Sequence, residues 1–262
     1  METSVGAASA AESPGISQSK PRPRWGMWTT VGWAIGAGAV TLAAQLAVLV
    51  AFISWWQQAY PGQPIGLRDL AAHGPTFGVV TVATTPITLA VFLLAVRLAR
   101  VPFAEYLALR WPSGRDLLIG LVLIVILLPA GDIVTAQSGR DVVPEFMTGT
   151  FATAREAGPL FLFLYGLSLV VMAPVSEEII FRGFLFRGFV SRLGMIPAVI
   201  ITSAIWSLLH VQYEWLYLAQ IFVLGLVFGL LRQRSGSTIL TIILHAIING
   251  VALVQVALYE AA

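Results

Sequence analysis

Charged and apolar positions are sharply segregated along this chain. Residues 25–67 contain no Asp, Glu, Lys or Arg, and the best crossing segment there is 28–56. Further uncharged or nearly uncharged runs follow at 70–96 (a span at about 76–98), 117–136 with Asp132 near its end, 157–176, 193–213, 215–231 and 235–259. A helix needs about 20 apolar residues to cross the hydrocarbon core of a bilayer. The pattern therefore predicts an all-α, polytopic transmembrane helix bundle of seven spans, or eight if one segment is broken. Trp25, Trp28 and Trp33 at one end of the first span, and Trp55, Trp56 and Tyr60 at the other, fit the two aromatic belts of a membrane helix. Residues 101–112 read as a short interfacial helix. Residues 1–24, polar and rich in Ser, Ala and Pro, read as a disordered cytoplasmic tail and not as a signal peptide. Residues 25–262 form a single transmembrane domain without a detectable repeat.

Composition agrees with this and narrows the function. Of 262 residues 58% are hydrophobic and 11% charged, against about 25% charged in a soluble domain, and the mean hydropathy is +0.85. A soluble enzyme and an ordinary nucleic-acid-binding domain are excluded. The chain has no cysteine, which removes disulfides, thiolate metal sites, cysteine nucleophiles and lipidation of the chain itself. The partners expected are the lipid bilayer and a membrane-associated peptide or protein, with no nucleic acid. With a cytoplasmic N-terminus, all of the 15 Lys and Arg residues except Arg68, Arg140 and Arg155 fall on the inner face. This is a strong positive-inside bias, and it makes a multi-pass protein of the cell membrane the expectation.

Ionisable groups inside a bilayer are expensive, so each is a functional candidate. Glu177 and Glu178 end the fourth apolar run, and His210 and His245 lie in later ones. Residues four apart share a helix face. Glu178 can therefore pair with Arg182, while Glu177 points about 100° away, without that partner. Trp206 and His210 share one face, as do His245 and Asn249. With a turn at Gly194, Glu177 and His210 both lie roughly 21–22 Å from it, and His245 lies about 12 Å from its own inner helix end. All three then reach one level, nearer the cytoplasmic face. The sixth span must start soon after His210, so an irregular stretch is expected at 211–218. Taken singly, each residue also has a structural reading: an interhelical hydrogen bond, a buried ion pair, or packing for Trp206. Their convergence at one depth favours a site.

The ordered set Glu177-Glu178-x-x-x-Arg182, Trp206-x-x-x-His210 and His245-x-x-x-Asn249, spread over residues 158–250, resembles the three motifs of the CAAX-protease and bacteriocin-processing (CPBP) family. These are intramembrane proteases similar to the type II CAAX prenyl endopeptidase. Trp206 replaces the family's Phe, a departure that touches pocket shape more than chemistry. The resemblance implies hydrolysis of a peptide bond inside the membrane. Glu177 and His210 would activate the water, His245 and Asn249 would form the oxyanion hole, and Glu178 and Arg182 would orient the site.

The residue types suit those roles. A carboxylate in an apolar pocket can serve as general base, and two donors on one helix face can stabilise a developing oxyanion. No serine carries the flanking pattern of a nucleophile. No cofactor is expected. The alternative is a divalent metal such as zinc held by Glu177, His210 and His245, although the chain has no His-Glu-x-x-His. Two other classes stay open: a catalytically idle immunity or scaffold protein, and a proton-coupled transporter.

Overall fold

The structure, a computed structural model, describes residues 26–66 and 69–261. The tail at 1–24 and Trp25 lie outside the described residues. Among them the chain is all-helical: α1 (Met27–Ala59), α2 (Gly74–Leu98), α3 (Phe103–Tyr106), α4 (Gly114–Gln137), α5 (Glu145–Glu156), α6 (Pro159–Leu193), α7 (Met195–Leu208), α8 (Trp215–Ser235) and α9 (Thr238–Tyr259), with a 3₁₀ turn at Leu70–Ala72.

Each of the seven apolar runs becomes one helix. Six (α1, α2, α4, α6, α8 and α9) are long and apolar enough to cross a membrane. The chain is thus a multi-pass membrane protein. The seventh, α7, has 14 residues, about 21 Å at 1.5 Å per residue, which is shorter than the hydrocarbon core. It stops because the chain turns at 209–214 before α8 begins. This is the irregular stretch expected from the sequence, placed slightly earlier. The Ser207 hydroxyl donates to the Leu218 carbonyl at 2.6 Å, holding the break closed.

Helix ends follow local chemistry. Gly194, at φ 81°, separates α6 from α7, and Gly236, at φ 65°, ends α8, conformations that glycine adopts without a Cβ penalty. Ser113 and Ser237 accept from the backbone N–H groups of Asp116 and Leu240 at the starts of α4 and α9. The α7–α8 hairpin packs closely through Gly225 and Gly229. A Cβ there would lie 2.8 Å from Ser203 and 2.9 Å from Val199, the small-residue contact that lets membrane helices approach.

Two segments differ from the sequence reading. Of residues 101–112 only Phe103–Tyr106 are helical, and Tyr106, Leu107 and Ala108 are buried. Their carbonyls are taken from outside the segment. Thr238 donates its N–H to Ala108 and its hydroxyl to Leu107, Ser237 donates to Arg110, and Arg187 donates to Glu105 and Tyr106. The segment is a strap with a single helical turn, pinned at its buried residues 106–108, while Phe103 and Trp111 stay exposed. Helix α5, absent from the sequence reading, seats Met147, Thr150, Phe151 and Ala154 against the bundle.

Within α6 the α-helical period widens to π-type turns at Ser168–Met172 and again at Ile179–Leu185. Pro174, just past the first, has no backbone N–H to donate. The side-chain amide of Asn249 donates to the Leu169 carbonyl in this stretch at 2.8 Å. The single turn and a half between the two π stretches, Ala173–Glu178, carries both carboxylates.

Candidate active site

Glu177 and Glu178 leave α6 in different directions and enter different surroundings. Glu178 is fully buried, and its Oε1 accepts from Arg182 Nη1 at 3.0 Å and from His245 Nδ1 at 3.0 Å. Arg182, 1% exposed, also donates from Nη2 to the Gly225 carbonyl at 3.3 Å. Its guanidinium lies 4.4 Å from the Trp206 ring centre and 5.4 Å from that of Phe228. Helices α6, α8 and α9 are thus joined through one buried ion pair, as the spacing of Glu178 and Arg182 predicts.

Glu177 faces a cavity. Its Oε2 accepts from the indole N–H of Trp206 at 2.6 Å and stands 4.0 Å from His210 Nε2. His210 lies just past the end of α7, where its Nδ1 is 2.8 Å from the Trp206 carbonyl oxygen. A carbonyl only accepts, so Nδ1 donates to it and Nε2 is the ring atom left toward Glu177. At 4.0 Å the two groups are too far apart for a direct hydrogen bond, and a water between them would fit. Trp206 does more than shape the pocket: its indole N–H holds Glu177, which a Phe in the family's motif could not do. The four-residue spacing of Trp206 and His210 signalled a shared face, but not this hydrogen bond.

The cavity is about 560 Å³ and is lined by Glu177, Trp206, His210, His245 and Asn249, within the size range of small-ligand pockets. All the sequence-derived site residues therefore come together, with Glu178 and Arg182 directly behind His245. Ser176, adjacent to the carboxylates, returns its hydroxyl to the Met172 carbonyl at 2.8 Å. Among the described residues no three His, Cys, Asp or Glu side chains form a group that could hold a metal ion. Glu177 and His210 stand together, but as arranged His245 does not join them in a three-ligand group.

Residues 159–251 match the family model described as type II CAAX prenyl endopeptidase Rce1-like. Over this segment the chain is similar to that family. The matched segment runs from the start of α6 into α9 and contains every residue of the site. A 103-residue stretch, 38% of this chain, is 37% identical to an uncharacterized 24.3 kDa protein of Escherichia coli, and the match spans 46% of that protein's length. The chain thus spans about half of the curated relative it matches. No solved structure matches.

Proposed function

We propose that the chain is an intramembrane endopeptidase that hydrolyses a peptide bond of a membrane-associated protein or peptide. The observation that carries this reading is the Glu177–His210 pair, 4.0 Å apart at the wall of the cavity. Water held between Glu177 Oε2 and His210 Nε2 loses a proton to Glu177 as its oxygen attacks the scissile carbonyl carbon. The tetrahedral oxyanion accepts hydrogen bonds from His245 and Asn249. Collapse breaks the C–N bond, and the proton passes from Glu177 to the leaving amine.

Each of these two residues is held by a fixed partner on one side. Asn249 uses one amide hydrogen on the Leu169 carbonyl and keeps a second. His245 has its Nδ1 on Glu178, which leaves Nε2 as the ring atom that meets the oxyanion. Glu178 and Arg182 act by positioning His245. The chemistry needs no metal. The Lys and Arg distribution further assigns the N-terminus to the cytoplasm and the site to the cytoplasmic half of the bilayer. Because the chain lacks cysteine, single introduced cysteines probed from each side of the membrane check that orientation.

The test is a quantitative survey of protein termini in cells expressing wild type or Glu177→Ala at matched levels. Termini present only with the wild type establish proteolysis and identify the substrate. Identical termini overturn the reading in favour of a scaffold protein. A chelator should leave the cleavage intact, and loss of cleavage restored by zinc would reinstate a metal.

A further inference from the structure

The side of the cavity formed by α1 and α2 is mostly threonine, with Phe77 beside it. Thr81, Thr84, Thr85 and Thr88 on α2 and Thr41 and Gln45 on α1 all line it. The spacing on α2 (i, i+3, i+4, i+7) puts the four threonines on one helix face, and Thr41 and Gln45 share a face of α1 in the same way. Three of these hydroxyls are engaged. Thr84 donates to the Val80 carbonyl at 2.8 Å, Thr88 donates to the Thr84 carbonyl at 3.1 Å, and Thr41 and Thr88 share a 2.9 Å hydrogen bond between the helices. Among the described residues the hydroxyls of Thr81 and Thr85 and the amide of Gln45 have no hydrogen-bond partner. Thr85 is nevertheless 6% exposed, and Gln45 lies midway along α1, where a polar group with nothing to bond is costly.

A peptide presented to Glu177 and His210 has to be unwound at the scissile bond, which strips its main-chain N–H and C=O groups of their helical partners. In an apolar environment each such orphan is costly. Hydroxyl and amide side chains both donate and accept, so they can take up either kind of main-chain group without regard to the substrate's side chains. A lipid tail offers nothing for them to bond. We propose that Gln45, Thr81 and Thr85 are the docking strip for the substrate's main chain, so that the cavity takes an extended peptide along α1 and α2 and not an acyl or prenyl chain. This inference rests on the endopeptidase reading.

The experiment extends the survey of termini to the double variants Thr81→Val/Thr85→Val, which keeps shape and loses the hydroxyls, and Thr81→Ser/Thr85→Ser, which keeps the hydroxyls. Each is run beside wild type and Glu177→Ala, with melting temperature in detergent as a control. Two lost hydrogen bonds of about 1 kcal/mol each predict wild-type-specific termini reduced by roughly tenfold or more in the valine variant. The serine variant should stay near wild type, and both should melt like it. Cleavage by the valine variant equal to or above wild type overturns the inference in favour of an apolar occupant. Equal losses in both variants with lowered melting temperatures overturn it in favour of packing. If Glu177→Ala and wild type give the same termini, the endopeptidase reading fails and takes the docking strip with it.

Discussion

Glu177 and Glu178 are consecutive residues of one helix turn, yet they occupy opposite kinds of surroundings. Glu178 is enclosed on every side, with a guanidinium and an imidazole on the same oxygen. Glu177 has one indole donor and a histidine ring nitrogen across a gap. A carboxylate whose charge is matched by fixed partners has little reason to change protonation state and serves as structure. One that faces a solvent-sized gap is available to take a proton. The roughly 100° between neighbouring positions on a helix separates the two roles, and residue type does not.

This contrast can be broken experimentally. Glu177→Gln should have the largest effect: cleavage should fall by about 10²–10⁴-fold, while the melting temperature in detergent stays within a degree or two of wild type. Glu178→Gln should reverse that signature, because it leaves Arg182 buried without its counter-charge. Losing one partner of a buried pair costs on the order of 3–5 kcal/mol, to be read as a clear drop in melting temperature or in the yield of folded protein. Trp206→Phe removes the indole donor while keeping a ring beside Arg182. A lost hydrogen bond to a charged group is worth about 1.5–3 kcal/mol, so turnover should fall about ten- to a hundredfold with stability little changed.

The smallest effect sharpens the comparison from outside the site. His73, just before α2, lies edge-on to the Trp56 ring, and its Nδ1 accepts from the Thr76 N–H. Burial holds its pKa below the ordinary 6.5 despite the opposing pull of Asp69. A histidine depressed in the fold favours the neutral native state, so its contribution is complete above the unfolded-state value. That contribution is lost as pH falls below 6.5. Melting temperature in detergent should decline slightly over that window, and His73→Gln should flatten the decline without moving the pH dependence of cleavage.

The residue spacing already contained much of this site. Glu178 and Arg182 four apart implied their ion pair, and depth counted from Gly194 brought Glu177 and His210 level. What could not be read depended on contacts distant in sequence or on helix period. The strap at 101–112 has helix-like composition, but Ser237 and Thr238, about 130 residues later, claim its carbonyls. Helix α5 had a readable signal in Met147, Phe151 and Ala154, masked by its polar neighbours. The threonine wall counted simply as part of an apolar span, because threonine's methyl group lets it pass for a span residue. The indole bond to Glu177 needed the α6–α7 crossing, which no local pattern encodes.

The π turns in α6 have a consequence for how insertions and deletions act here. A helix that relaxes one π turn back to the α period absorbs the loss of one residue there, and the residues beyond keep their faces, whereas an unabsorbed deletion turns everything beyond it by about 100° relative to what precedes it. Removing one residue from Ser168–Met172 would therefore leave an intact membrane helix in which Glu177, Glu178 and Arg182 keep their directions. Each π turn is thus a place where this helix can change length by one residue without exchanging the buried carboxylate for the working one.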